Sequence, residues 1–333
     1  MNSLWRVAFL IALLWLSGAK LAFAQTKVSI ASLIVNSSYL PLWVAHEHGL
    51  FAKQGIDAQI LILEAAFRRI GSEVPFGVVG IPAAMLALAE GQDLKVLLPI
   101  DTPRVTAHLV AARDIKTPEA LRGKRFGTAT IGAGAWIHSI LALDHLGLDP
   151  KRDGISLIEI GGVAQQVQAL EAGRIDAVVI EPGQSAQLTA KGFSLILDMY
   201  PANISGVQSA LVVTGPYLRE HPDVVEKVVA GLLEGFAFSL APRNEETVRK
   251  TMMARMNLSA PAAVESAYRS FLLRANRKPY PSIEAMQNMQ RVIGLADPRV
   301  LNIRIEDFAD DRFVRKLDTS GEIDRLYERY GVK

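Results

Sequence analysis

The 333-residue chain contains no cysteine. A structural disulfide, a thiolate nucleophile, a cysteine-ligated zinc site and a lipid-modified N-terminal cysteine are all excluded on that ground. Charge of one sign is equally scarce, with 36 Lys and Arg against 34 Asp and Glu. There is no basic stripe to hold nucleic acid, and no nucleic-acid partner is expected. Long apolar runs are missing too: Val7 to Leu16 falls short of the roughly 20 residues that cross a bilayer, and no later segment qualifies. A nucleophile elbow, a phosphate-binding Walker loop and a distinctively spaced carboxylate pair are also absent, so no catalytic residue and no cofactor are expected.

The first 24 residues have the parts of a cleavable secretory signal: Arg6 in a basic start, the apolar run from Val7, and Ala22-Phe23-Ala24 as a small-x-small site. Cleavage is expected before Gln25, which would leave a chain of balanced charge, free in the periplasm without a lipid anchor. The roughly 310 remaining residues suggest two domains.

The centre of the chain is the stretch Lys124 to Gly154. A short strand over about Arg125 to Thr130 leads into Ile131-Gly132-Ala133-Gly134-Ala135, and a helical pattern starts near Trp136 with Ile137, Ile140, Leu141 and Leu146 inward. A turn of such small residues lets a ligand approach main-chain amides, and a helix N-terminus carries roughly half a positive charge. A polar or anionic small molecule suits that position.

From Lys27 onward, strands are expected at Val28 to Ser32, Asp57 to Leu63, Phe76 to Val79 and from Leu94. Between them come a polar turn at Asn36-Ser37-Ser38, a helix from Leu40 to Gln54, a turn at Gly80-Ile81-Pro82 and a helix to Glu90. This alternation argues for a parallel, doubly wound α/β sheet. The second half repeats the order at a spacing of about 100 residues: Gly55-Ile56 returns as Gly154-Ile155, Val74 as Ile175 and Gly91 as Gly192. Ligands gather at the carboxyl ends of parallel strands, so two such units face to face would surround one cleft.

The second unit reads as inserted into the first. The extended segments Val105 to Ala112 and Gln208 to Thr214 are the two crossings, and two linkers make a hinge. Lobe I is expected to take residues 25–112 and 211–333, and lobe II residues 113–210. From Tyr217 the pattern is mostly helical, and these helices are expected to pack on the first sheet and on each other.

Several residues invite chemistry. Ser37 and Ser38 can donate to an oxyanion or cap the following helix. Glu181, at an expected strand tip, is either a rim residue or a carboxylate that favours an amine-bearing guest. Tyr39 and Trp136 can stack on a planar ligand or pack internally. His46 and His48 lie about 200° apart around a helix, so no metal site is expected there. Arg68, Arg69 and Arg104 are either anion clamps or solvated.

The run Leu40-Pro41-Leu42-Trp43-Val44-Ala45-His46-Glu47-His48-Gly49-Leu50-Phe51, followed by Gly55-Ile56, resembles the P-x-x-x-A-x-x-x-G-L-F-x-x-x-G-[IL] signature of nitrate/sulfonate/taurine-type solute-binding proteins and of their thiamine-pyrimidine precursor-binding relatives. Leu121 to Gly127, Gly173 to Ala177 with Glu181-Pro182, and Ser209 to Thr214 with His221-Pro222 extend the resemblance over nearly the whole chain. It implies a type II periplasmic-binding-protein fold with a C-terminal helical extension, acting as a monomer and delivering its ligand to the transmembrane subunits of an ABC permease. A sensory protein presenting its ligand to a receptor is the alternative. By position, ligand contacts fall on Ser37, Ser38 and Tyr39, on Gly80, Ile81 and Pro82, on Gly132, Ala133, Gly134 and Ala135, and on Glu181. Where the family has G-x-[IV]-D-[FA], the first unit has Val74-Pro75-Phe76. A pyrimidine-synthesising branch of the superfamily depends on a cysteine-rich motif, which is missing here.

Overall fold

Two five-stranded sheets with the same strand pattern carry the molecule. The computed structural model describes residues 25–32, 35–62, 70–71 and 73–332. The signal-like segment and the Arg68-Arg69 pair lie outside the described residues.

The first sheet contains β1 (Thr26–Ser32), β2 (Ile56–Ile62), β3 (Phe76–Gly80) and β4 (Leu94–Pro99). The second contains β5 (His108–Ala111), β6 (Arg125–Thr128), β7 (Ser156–Glu159), β8 (Ala177–Ile180) and β9 (Ser194–Asp198). β10 (Ser209–Thr214) returns to the first. The orders are β2-β1-β3-β10-β4 and β7-β6-β8-β5-β9.

Neither sheet is wholly parallel, which corrects the sequence expectation. β5 runs antiparallel between β8 and β9, and β10 antiparallel between β3 and β4. Each crossing segment therefore ends as a strand buried in the sheet it enters. β5 is already in the second sheet four residues before the boundary expected at Ala112, and β10 enters the first at Ser209 rather than at residue 211. The linkers proper are hydrogen bonded to each other: Val105 N–H donates to Ile204 O at 2.9 Å, and Gly206 N–H to Pro103 O at 3.1 Å. The hinge is a two-stranded ribbon.

The helix expected from Leu40 to Gln54 is two helices, α1 (Leu40–Glu47) and α2 (Leu50–Lys53), because Gly49 sits at φ 66°, left-handed backbone that ends the first. α3 (Ile81–Ala89) follows β3, α4 (Gly134–His145) follows β6, α5 (Val163–Glu171) follows β7, and α6 (Pro182–Ala190) follows β8. In the second unit the Asp176 carboxylate staples β8 to β6, accepting from Arg125 N at 2.8 Å and Arg125 Nε at 2.9 Å. Arg125 Nη2 completes a bidentate fork by donating to Asp176 Oδ1 at 2.8 Å, and it also donates to Gly173 O at 2.8 Å, which gives the Gly173 to Ala177 motif its physical content.

The helical remainder is α7 (Gly215–Glu220), α8 (Pro222–Leu240), α9 (Glu245–Met256), α10 (Pro261–Arg274), α11 (Ile283–Ile293), α12 (Ile305–Phe308), α13 (Arg312–Thr319) and α14 (Glu322–Tyr330). α8 lies closely on α1 and α2, which carry the family-like signature. Gly231 and Gly235, one helical turn apart, make this approach possible. A β-carbon at Gly235 would lie 2.3 Å from the Pro41 carbonyl oxygen, and one at Gly231 would lie 2.6 Å from Phe51 Cδ1.

The C-terminal helices do more than cover the first sheet. α11 packs on α3 of the first lobe and on α4 of the second. Its Met286, Met289, Val292 and Ile293 join Ile137, Ile140 and Leu141 in one hydrophobic cluster. Arg291 Nη2 pairs with Asp144 at 2.6 Å, and Asn288 Nδ2 donates to Ser205 O at 2.7 Å, on the hinge ribbon itself. α11 thus straps the hinge side of the molecule.

Because α8 sets the height of the turn before α1, Gly235→Val is expected to overpack that contact and lower stability by about 1–3 kcal/mol in urea unfolding. A midpoint unchanged from the parent chain would refute the close approach.

Candidate ligand-binding cleft

Four strand-to-helix turns converge between the lobes. In the first, Asn36 Oδ1 accepts the Tyr39 amide at 3.2 Å and starts a 3₁₀ turn, Ser37–Tyr39, that runs straight into α1. Ser37 and Ser38 are both buried. In the second, Gly80 leads to Ile81, whose amide donates to Gln208 O at 2.8 Å, and to Pro82, which has no amide. This turn presents mainly apolar surface, and of its first-turn amides that of Ala83 has no acceptor within the helix.

The third turn differs. Gly132 takes φ 83°, Ala133 N–H donates to Thr130 O at 2.9 Å, and Ile131 N–H donates to Glu159 Oε1 at 2.8 Å. The loop is thereby held in place. The next amides, of Gly134, Ala135 and Trp136, fall in the first turn of α4, which carries no side-chain cap. Such first-turn N–H groups have no acceptor within their own helix. Open main-chain amides are therefore more numerous at the α4 turn than at the α3 turn.

A cavity of about 450 Å³ lies among these turns, within the roughly 300–1,000 Å³ usual for ligand sites. Ser38, Gly80, Pro82, Gly132, Ala133 and Gly134 line it. Its other walls include Asn36, Leu86, Ile131, His138, Ser209 and Met289. A second chamber of about 610 Å³ shares Asn36 with the first and is lined by Ser37, Glu181, Gln184, Ser266 and Arg274, among others. Tyr39, Ile81 and Ala135 line neither. Tyr39 is buried, with its phenol 3.5 Å from Ser209 Oγ and pushed up to about 12, chiefly by burial.

His138, one turn into α4, is 8 % exposed, and its Nε2 is buried with no hydrogen-bond partner. Burial, and then the charge of Arg274, lower its pKa to about 4. The imidazole is neutral at ordinary pH.

Arg274, at the last residue of α10, is 6 % exposed. Its Nε donates to Thr106 Oγ1 at 2.8 Å and its Nη1 to Ser38 Oγ at 2.9 Å, while Nη2 meets the Glu181 carboxylate in an ion pair. Its carbonyl accepts the Thr102 amide at 2.7 Å. One guanidinium thus joins the first turn, the hinge and the α6 turn of the second lobe. Asp101 is fully enclosed nearby; burial raises its pKa above the usual carboxylate value, and the charge of Arg274 opposes that rise. Glu181 is consequently not the unpaired carboxylate that would single out an amine-bearing guest.

Other candidates stand elsewhere. Arg104 lies over the Tyr200 ring at 5.9 Å. Trp136 is buried and is not among the lining residues of either chamber. His48 stacks on Phe238 at 4.8 Å, and Glu47 accepts from Thr251 Oγ1 at 2.9 Å, so this stretch ties α1 to the C-terminal helices. Among the described residues no group of three or more His, Asp or Glu side chains could hold a metal ion.

Arg274, His138 and Met289 were not singled out from sequence. His138 had a usable signal, since it lies four residues after Gly134 and so on the same helix face. Arg274 closes an ordinary amphipathic helix and gives none.

Two lobes with one exchanged strand each, around a cleft on a hinge ribbon, define the periplasmic-binding-protein class of fold. The family model described as "NMT1/THI5 like" matches residues 36–245. The chain belongs to the NMT1/THI5-like family, in accord with the resemblance seen in its motifs. A solved structure described as a putative periplasmic sulfonate-binding protein SsuA of Methylobacillus flagellatus KT is similar, with TM-score 0.71 and 17 % identity over 90 % of this chain and 96 % of that one. The periplasmic nitrate-binding protein NrtA of Synechocystis PCC 6803 matches with TM-score 0.64 and 12 % identity, covering 90 % of both chains. The bicarbonate transport ATP-binding protein CmpC of Synechocystis is 28 % identical over 249 residues, and the match covers 66 % of this chain. The chain spans 36 % of the length of that relative.

The depressed His138 pKa gives a signed pH dependence. The unfolded imidazole takes up a proton near 6.5 and the folded one only near 4. Stability from this group is therefore complete above pH 6.5 and lost as pH falls through that window, by at most about 3 kcal/mol. His138→Asn is expected to flatten the fall in urea-unfolding free energy between pH 6.5 and 4 relative to the parent; parallel curves would contradict it.

Proposed function

We propose that the chain is the periplasmic solute-binding component of an ABC importer. In this reading it acts as a monomer, captures a small polar organic solute between its lobes and presents the closed form to the permease. The observation that carries the reading is the cavity in which the uncapped N-terminus of α4, the neutral His138 and the apolar α3 turn face one another. Amides and an imidazole offer hydrogen bonds to an oxyanion or carbonyl group, and Pro82, Ala83, Leu86, Ile131 and Met289 offer contact to a carbon skeleton. A nitrate-sized guest would leave much of the space unfilled. The sulfonate-, nitrate- and bicarbonate-transport descriptions of the similar proteins support an importer role, and the signal-like first 24 residues support export. The ligand contacts we assign are Asn36, Ser38, Gly134, His138 and Ser209, with Gly132 and Ala133 shaping the loop.

Closure must operate with α11 in place. Since α11 is bonded to the hinge ribbon through Asn288, it acts as a pivot, and the contact of α10 with α6 across the lobes is one that opens and shuts.

A thermal-shift screen over methanesulfonate, acetate, taurine and thymine is expected to yield a stabilising guest, because a ligand of the folded form raises the midpoint. Small-angle scattering at saturation should then show a smaller radius of gyration, and an unchanged radius would speak against closure. A β-carbon at Gly134 meets nothing within 4 Å, so Gly134→Leu should fold normally and lose the thermal shift. Full retention of the shift would remove the α4 turn from the site.

A further inference from the structure

Among the described residues that line the two chambers one side chain is cationic, that of Arg274. Its anchoring is one-sided. Ser38 and the Thr102 amide on the first lobe hold it and would travel with it in a movement of the lobes, and Thr106 holds it from the hinge itself. The fourth partner, Glu181, is the first residue beyond β8 and belongs to the opposite lobe.

Glu181 is held much more loosely. Its side chain is 38 % exposed, and it does not cap α6, the helix that it precedes. Opening the cleft would therefore withdraw the carboxylate and leave the guanidinium in place, facing the space between the lobes. With Glu181 withdrawn the guanidinium keeps Thr106, Ser38 and the nearby Asp101, but its Nη2 loses its charged partner, and a desolvated charged donor left without an acceptor is costly. The vacated position is then the strongest anion site in the cleft, with a planar fork of N–H donors already oriented. Among the described lining residues no second cation competes for an anion there, since His138 is neutral.

We propose that Arg274 is the anion anchor of the cleft and that Glu181 is its built-in occupant, which an oxyanion group of the solute displaces on binding. The inference rests on the cleft reading and deepens it. The solute carries a carboxylate or sulfonate that reaches Arg274 in the larger chamber, next to Ser38 of the smaller one, while its remainder extends toward the α4 turn. Glu181 sets the threshold: a neutral or cationic compound cannot replace it, so the ion pair acts as a filter. It also weakens all anions by a common factor, because each must first break the pair.

The test uses methanesulfonate as the probe and Glu181→Gln as the variant, read by isothermal titration. Glu181 is partly exposed, so the variant should fold. It is expected to bind methanesulfonate about tenfold or more tightly than the parent, the scale of one charge-assisted hydrogen bond. Adding Arg274→Lys, which keeps the charge and removes the fork, should abolish the gain. Equal or weaker binding by Glu181→Gln, or no binding of the probe by that variant, overturns the proposal, as does a gain that survives in the double variant. Scattering separates this from the cleft reading. Compaction on thymine together with no effect of Glu181→Gln on methanesulfonate overturns the anchor and leaves the cleft standing. Tighter methanesulfonate binding by Glu181→Gln without compaction on any of the four screen compounds supports the anchor and removes closure.

Discussion

A guanidinium out of water must be given partners, and the placing of those partners on Arg274 organises the centre of this molecule. Thr106 comes from the hinge, Ser38 from the first turn of one lobe and Glu181 from the α6 turn of the other. Burial pulls the Arg274 pKa down, while the charge of Asp101 pulls it back. The guanidinium remains charged in any case, since arginine does not deprotonate in proteins. This fixed positive charge helps to keep His138 neutral, and it pairs with Glu181, the one carboxylate among the described residues that line the chambers.

The duplicated fold makes such a centre possible. Each sheet ends its parallel strands at the same face, and each takes in one antiparallel strand from the crossing chain. Because β5 and β10 are buried mid-sheet, the hinge ribbon is anchored at both ends in rigid structure. The two units are alike in topology and unlike in chemistry. In the first, Ile81 uses its amide on Gln208 and Pro82 has none, so the turn is a largely apolar wall in which the Ala83 amide is left open. In the second, Gly132 and Gly134 leave the α4 amides open. A ligand with one polar end and one apolar body suits this asymmetry better than a symmetrical ion does.

Much of this was legible in the sequence, for physical reasons. Strand–helix alternation, the repeat near 100 residues and the small-residue turn at Ile131 to Ala135 depend on local pattern, and local pattern is what a sequence displays. The exchange of β5 and β10 was only half visible: both segments read as extended and apolar, but the choice of sheet is a tertiary matter. Gly49 divides a helix that hydrophobic spacing alone would run through. The role of α11 as a strap was hidden because its apolar face looks the same whether it covers one lobe or two. Arg274 was hidden for the same reason, since its three side-chain partners, Glu181, Thr106 and Ser38, lie 93, 168 and 236 positions away. His138 was within reach of helical periodicity and was overlooked.

The central claim is that two lobes close on a solute held between their turns. The absence of cysteine allows a direct measurement: Ala52→Cys on α2 and Ala186→Cys on α6 put one spin label on each lobe, both at exposed positions. Pulsed electron paramagnetic resonance is expected to give a broad or long inter-label distance without solute and a single shorter one with a stabilising solute. A distribution that is the same in both conditions, at a concentration where the solute is bound, would contradict the account.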